Sequence, residues 1–263
     1  MPVYNGAIID LDGTVVRGDQ LLPGAKAAIG SLRDRGVELL FVSNNPVDPP
    51  ARRVDQLRDL GLEVDTDEVM TSGTMTAAYL LEAYPEADTY LIGEDGLRTQ
   101  LADAGVTLTD VPEQADVVVG SIDRTMSYES LTEGLQAVVD GTPYIGTDPD
   151  GTIPGSDGVV LPGTGCMLGA LRGMLDRDPV EVLGKPSEFG TEMALDRLGV
   201  APEECLVIGD RLDTDIAMGT TAGMTTVLVL TGVAGRSDVE NAKHPAPDFI
   251  LESFAEIDRL LTP

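Results

Sequence analysis

Two aspartates stand at the end of the first apolar run of the chain. The stretch Ile8-Ile9-Asp10-Leu11-Asp12-Gly13-Thr14 places two carboxylates two positions apart, directly before a glycine. A short apolar run predicts a buried strand, and alternate residues of a strand face the same side. Gly13 then lets the backbone turn while Asp10 and Asp12 face one pocket. Such a pair of anions requires a cation or a shared proton, unless both carboxylates are simply solvated turn residues.

Polar residues also follow three later apolar runs. They are Ser43-Asn44 after residues 37–42, Gly184-Lys185 after residues 180–183, and Gly209-Asp210 after residues 205–208, with Asp215 five positions further on. Taken singly, Ser43-Asn44 would suit an ordinary turn and Lys185 an ordinary surface position. In open parallel sheets, however, ligands bind at the carboxyl ends of the strands. We therefore expect the four strand ends to meet in one crevice.

Strand and helix patterns alternate along the chain and must position these residues. Strands are predicted at residues 4–9, 37–42, 180–183, 205–208, 225–230 and 249–251, and helices at 23–35, 51–60, 74–83 and 189–198. This alternation predicts an α/β fold whose core is a Rossmann-like parallel sheet with helices on both faces.

A long central segment has a strand and helix rhythm of its own. Strands are predicted there at residues 89–92, 117–119 and 144–145, and helices at 97–104, 128–139 and 166–175. The segment is too long for a loop. It therefore predicts an inserted α/β cap domain over residues 86–179, with residues 1–85 and 180–263 forming the core.

The charge of the chain is unusually negative. The sequence has 45 acidic and 17 basic residues, a net charge of -28, and its only lysines are Lys26, Lys185 and Lys243. At molar salt the Debye length falls to about 3 Å, which screens such a surface. The charge predicts a halophilic source, with an acidic mesophilic protein as the alternative. It also excludes nucleic acid as a partner, because no basic face is visible. The apolar runs are too short for a membrane span, so we expect a cytoplasmic protein.

The ordered motifs resemble those of the haloacid dehalogenase-like (HAD) hydrolases over nearly the whole chain. Asp10-Leu11-Asp12-Gly13-Thr14 is similar to the DxDGT motif of that family, Ser43 to its second motif and Lys185 to its third, and Gly209-Asp210 with Asp215 to its fourth. The cap between the second and third motifs resembles the type IIA subfamily. That subfamily includes 4-nitrophenylphosphatase, NagD-like proteins, and the phosphatases of pyridoxal phosphate and phosphoglycolate.

The resemblance implies a role for each motif. Asp10 would be the nucleophile that forms an aspartyl phosphate, and its carboxylate is ionised at neutral pH without a base. Asp12 would be the general acid and base. Lys185 would offset the charge of Asp10 and hold a phosphoryl oxygen. The implied substrate-binding residues are Ser43, Asn44 and Gly13, together with Thr147 and Asp148 on a loop of the cap.

The resemblance also implies a metal site. Asp10 and Asp210 would bind the metal through their side chains and Asp12 through its backbone carbonyl, with Asp215 acting from behind these ligands. Each pair of carboxylates 4 Å apart repels by about 1 kcal/mol in bulk water and by about 4 kcal/mol at an effective dielectric constant of 20. A divalent cation is therefore needed when a phosphate binds beside these carboxylates. Oxygen ligands favour Mg²⁺.

The function expected from these features is Mg²⁺-dependent hydrolysis of small phosphate monoesters. A catalytically silent binding or regulatory protein on the same fold and a phosphomutase are the alternatives. Sugar phosphates, phosphoglycolate, glycerol phosphate, nucleotides and pyridoxal phosphate all stay open as substrates. By resemblance, a homodimer would form through the cap.

Overall fold

The computed structural model describes residues 4–138, 141–155, 159–240 and 243–261. Its strands are β1 Gly6–Asp10, β2 Val16–Arg17, β3 Gln20–Leu21, β4 Glu38–Ser43, β5 Val69–Thr71, β6 Thr89–Ile92, β7 Leu108–Thr109, β8 Val117–Gly120, β9 Tyr144–Gly146, β10 Thr152–Pro154, β11 Val160–Pro162, β12 Cys205–Gly209, β13 Thr225–Val229 and β14 Phe249–Leu251. Its α-helices are α1 Ala25–Asp34, α2 Pro50–Asp59, α3 Ser72–Ala83, α4 Asp95–Asp103, α5 Tyr128–Val138, α6 Thr164–Leu175, α7 Glu188–Leu198, α8 Ala217–Ala222, α9 Arg236–Glu240 and α10 Asp258–Leu261. None of the helices in these ranges is long and apolar enough to cross a membrane.

The chain forms two compact units. The first comprises Met1–Ser43, Ala51–Met70 and Gly190–Pro263, and the second comprises Asn44–Pro50 and Thr71–Phe189. The second unit thus contains the segment predicted as a cap and adds residues from both of its flanks. The predicted domain boundaries stay a prediction.

A sheet with the strand order β14-β13-β12-β1-β4-β5 forms the centre of the first unit. Strand β1 lies between β12 and β4 and is parallel to both, with Ile9 opposite Ile208 on one side and Phe41 on the other. All five residues of β1 are buried, as expected for a parallel strand that is covered on both faces. This register brings the carboxyl ends of the three strands side by side.

Helix α1 of the first unit packs through an apolar stripe and is followed by a glycine. Helix α1 buries Ala28, Ile29 and Leu32, a helical spacing, against the same core as Phe41 of the sheet. Gly36, with φ of 77°, lies just beyond this helix. Glycine adopts this left-handed conformation without strain, which explains why the helix stops there.

The second unit has a parallel sheet of its own, with the strand order β7-β6-β8-β9. Its core contains Tyr90, Val118 and Tyr144 from the sheet and Leu168 and Leu171 from α6. Helices α5 and α6 pack on this sheet, and β10 and β11 form a separate antiparallel hairpin. The predicted α/β class with parallel sheets is confirmed. Residue 139 of the predicted fifth helix lies outside the described residues.

The prediction that residues 180–183 form a strand of the core sheet is wrong. Val182 makes only an isolated bridge with Gly146 in the second unit. The backbone N–H of Val180 donates to Tyr144 at 2.8 Å, and that of Leu183 donates to Gly146 at 2.9 Å. The segment is short and runs along β9, so its hydrogen bonds go to that strand. Lys185 therefore does not follow a strand of the core sheet.

Candidate active site

Asp10 ends the central strand of the first unit, and a tight turn follows it. The backbone N–H groups of Val15 and Val16 both donate to the carbonyl of Leu11 at 2.9 Å. Gly13 within this turn has a φ of 102°, which favours glycine. Asp10 is 9% exposed, and the turn places Asp12 just beyond it.

Asp210 and Asp215 lie at the carboxyl end of the neighbouring strand, β12. Asp210 directly follows this strand, and Asp215 belongs to the π-helical turn Leu212–Ile216. The backbone N–H of Val233 donates to Oδ2 of Asp210 at 2.6 Å, and that of Arg211 donates to Oδ2 of Asp215 at 3.1 Å. Both aspartates are 1% exposed. Backbone donors thus fix two buried carboxylates.

Asp10, Asp210 and Asp215 form one group of carboxylates. Each offers an oxygen, and the three oxygens lie within 4.8 Å of one another. A Cβ atom at Gly232 would lie 1.7 Å from Oδ2 of Asp210, so only glycine leaves room for this carboxylate. Three buried anions at such distances repel one another strongly. The donor set consists of oxygens alone and fits a hard divalent cation, and Mg²⁺ is the cation that the sequence predicts.

Asp12 stands apart from this group and contacts an arginine that sequence reasoning missed. Its side chain is 39% exposed, and its Oδ2 accepts a hydrogen bond from Nη2 of Arg53. The same nitrogen donates to Oγ of Ser43 at 3.4 Å, and Nη1 donates to Oε1 of Gln56 at 3.0 Å. Arg53 is buried on the apolar face of α2 beside Val54 and Leu57. In the sequence, Arg53 stands at helical spacing with Val54 and Leu57, and this placement of a charged residue was the signal that could have identified it.

Ser43 lies close to these residues because of the strand register. Asp10 is opposite Val42 of β4, so Ser43 is one residue further along the adjacent strand. Ser43 is buried. The first unit therefore brings together six predicted site residues, which are Asp10, Asp12, Gly13, Ser43, Asp210 and Asp215.

The second unit contains the other predicted side chains. Lys185 and Asn44 are both buried. The Lys185 backbone N–H donates to Oδ1 of Asn44 at 2.8 Å, and Nδ2 of Asn44 donates to the Lys185 carbonyl at 3.1 Å. Nδ2 of Asn44 also donates to Oδ1 of Asp150 at 3.3 Å. Asn44 thus joins the backbone of Lys185 to the loop after β9.

Asp148, in that loop, is a buried carboxyl group. Its Oδ2 accepts hydrogen bonds from the hydroxyls of Thr147 at 2.9 Å and Thr164 at 2.7 Å, and its Oδ1 accepts from the Asp150 N–H at 3.2 Å. Burial, followed by the charge of Asp150, raises the pKa of Asp148 to about 7, although the hydrogen bonds oppose the rise. Thr147 and Asp148 therefore hold the loop together. Substrate binding by either residue stays a prediction.

Comparisons with known proteins agree with this geometry. A model described as haloacid dehalogenase-like hydrolase matches residues 7–107, and a HAD-hydrolase-like model matches residues 182–257. Sugar-phosphatase AraL of Bacillus subtilis is 36% identical over 97% of this chain and 92% of its own length. Acid sugar phosphatase of Staphylococcus epidermidis is 36% identical over 93% of each protein.

Among solved structures, the p-nitrophenyl phosphatase from Archaeoglobus fulgidus superimposes with a TM-score of 0.91. It is 35% identical, and the match covers 98% of this chain and 100% of that one. The chain therefore belongs to the haloacid dehalogenase-like hydrolases, and its matches are those of the type IIA branch. The predicted enzyme class, a phosphoric monoester hydrolase of this family, is confirmed by these relatives.

Proposed function

We propose that this protein is a Mg²⁺-dependent phosphatase that hydrolyses small sugar phosphates through an aspartyl phosphate on Asp10. The observation that carries the proposal is the buried group of Asp10, Asp210 and Asp215 beside a separately held Asp12. The names of the relatives support sugar phosphates, and p-nitrophenyl phosphate is the matching chromogenic substrate.

The first chemical step uses Asp10 and Asp12. A carboxylate oxygen of Asp10 attacks phosphorus, and the bond from phosphorus to the sugar oxygen breaks. Asp12 donates a proton to the leaving oxygen, because an alkoxide is a poor leaving group. Hydrogen bonds between backbone groups fix the turn that follows Asp10 and contains Asp12. The backbone positions of the two residues are therefore set before substrate binds.

The second step returns the enzyme to its starting state. Asp12, now ionised, takes a proton from water, and the water oxygen attacks phosphorus. The bond from phosphorus to Asp10 breaks, and inorganic phosphate leaves. The exposed fraction of the Asp12 side chain supports this exchange with solvent.

The remaining residues would bind the metal ion or the negatively charged phosphoryl oxygens. Mg²⁺, when bound, would neutralise the carboxylates and the phosphoryl oxygens. Asp10, Asp210 and the Asp12 carbonyl would hold it, with Asp215 behind them. We assign Lys185, Ser43, Asn44 and Gly13 to the phosphoryl oxygens, by family resemblance.

Release of phosphate tests the proposal. Wild type, Asp10→Asn and Asp213→Asn should be assayed with 4-nitrophenyl phosphate and a panel of sugar phosphates, with Mg²⁺ in concentrated KCl. Asp213 is a matched control, because it lies at the same strand end, is exposed and pairs with Arg211. We expect activity in wild type and Asp213→Asn and a loss of at least about a hundredfold in Asp10→Asn. Inactive wild type would favour the silent binding protein.

A further inference from the structure

Arg53 is a charged group in a position that suits an apolar side chain. It is 5% exposed and lies on the buried face of α2 with Val54 and Leu57. A buried charge is costly unless it is paired, and an apolar residue of similar volume is often neutral or stabilising in its place. Its Nε has no hydrogen-bond partner in the described part of the chain. Fold stability alone therefore does not explain an arginine here.

The contacts of Arg53 instead lead to the reacting groups. Its guanidinium binds the carboxylate of Asp12 and donates to the hydroxyl of Ser43. Gln56 accepts from the other terminal nitrogen, and Nε2 of Gln56 donates to the carbonyl of Gly18 at 3.3 Å. Hydrogen bonds through Arg53 and Gln56 thus connect Asp12 to the backbone at Gly18, shortly after the turn that contains Asp12.

We propose that Arg53 is a positioning residue that holds the Asp12 carboxyl group in the orientation needed to exchange a proton with the leaving oxygen and with water. An exposed aspartate side chain otherwise samples several rotamers. A planar guanidinium limits this freedom because its donors are fixed relative to one another. The proposal rests on the function proposed above for Asp12.

Leaving groups of different basicity separate this role from a structural one. A sugar alkoxide needs a proton on departure, whereas 4-nitrophenolate needs little. We expect Arg53→Met to lower kcat/KM for a sugar phosphate at least about tenfold more than kcat/KM for 4-nitrophenyl phosphate, because kcat/KM reports the step that expels the leaving group and not the later hydrolysis of the shared aspartyl phosphate. Arg53→Lys, which keeps the charge on a flexible stem, should recover part of the sugar phosphate rate. Arg52→Met removes an exposed arginine from the same helix and should leave both rates unchanged.

A double-mutant cycle completes the test. If Arg53 acts through Asp12, Arg53→Met should add no further loss with the sugar phosphate once Asp12→Ala is present. Equal losses with the two substrates in Arg53→Met or Arg53→Lys, or additive losses in the cycle, would overturn the proposal while the wild type stays active. A wild type that hydrolyses neither substrate would overturn the proposed function as well, so the two failures are distinguishable.

Discussion

The carboxylates at the carboxyl end of the first sheet differ in their surroundings, and this difference supports the separate roles proposed for them. Asp10, Asp210 and Asp215 are buried and share one small volume, which suits a cation. Asp12 is partly exposed, which suits the exchange of protons with solvent, and its carboxylate contacts Arg53. Burial therefore separates residues that look alike in the sequence.

Replacement of Asp12 should affect substrates unequally. We expect Asp12→Ala to lower kcat/KM, which reports the step that expels the leaving group, about a hundredfold or more with a sugar phosphate, in the range that general acid catalysis supplies. The loss with 4-nitrophenyl phosphate should be clearly smaller, because its leaving group departs without a proton. Steady-state kinetics with both substrates measure the difference. Equal losses would count against Asp12 as the acid.

Cation binding should be measurable without any turnover. We expect Mg²⁺ to raise the melting temperature of the wild type, because it relieves repulsion among three buried carboxylates. A free concentration a hundredfold above Kd stabilises by about 2.7 kcal/mol. Asp210→Asn should lose most of this shift, and Asp213→Asn should keep it. Calorimetry that finds the same shift in all three proteins would place the cation elsewhere.

At the residue scale, the sequence predicts the site residues that directly follow strand ends. It does not predict a residue, such as Arg53, that contacts them from a helix. The spacing of Asp10, Asp12 and Asp210 after apolar runs was sufficient to place them at one edge of the sheet. Arg53 was missed because an arginine on an amphipathic helix is expected on the exposed face. Its contact with Asp12 depends on tertiary packing, which spacing along the chain does not encode.

At the scale of elements, the loop between β9 and β10 depends on a buried carboxyl group. Between pH 3.8 and about 7, folded Asp148 keeps a proton that the unfolded chain has lost. Stability therefore falls as the pH rises through this interval, and the loss is complete above it. It should reach the order of a few kcal/mol.

Asp148→Asn should remove this pH dependence. We expect the variant to gain stability relative to wild type from pH 5 to pH about 8, by chemical unfolding in concentrated KCl. Asp103→Asn, at the exposed end of α4, removes a charge without this effect. A constant difference between wild type and Asp148→Asn across the pH range would show that Asp148 is ionised throughout.

Hydrophobic periodicity predicts the bounds of helices and strands better than it predicts which strands lie next to one another. The pattern at residues 89–92 and 249–251 predicts β6 and β14 with the observed bounds. The strand β5, Val69–Thr71, was not predicted, because it is short and runs directly into α3 at Ser72 with no turn residue between the two elements. The segment 180–183 has the composition of a strand. Tertiary packing, which places Val182 opposite Gly146, determines the strand beside which it lies.

At the scale of the whole molecule, the most unusual feature is the net charge of -28. We propose that the surface is adapted to concentrated salt. The melting temperature should rise as KCl increases from dilute buffer to molar concentration, because screening removes repulsion among surface carboxylates. A matched NaCl series checks whether the effect is ionic strength alone. Greatest stability in dilute buffer would refute the adaptation.

The most direct test of the central claim is detection of the phosphoryl group on Asp10. The enzyme should be mixed with a sugar phosphate and Mg²⁺ in concentrated KCl, quenched in acid within one turnover, digested, and analysed by mass spectrometry. We expect an acyl phosphate on the peptide that contains Asp10, labile to base and absent from Asp10→Asn. Active turnover with the phosphoryl group on another residue, or with no phosphorylated peptide in the quenched wild type, would contradict the account.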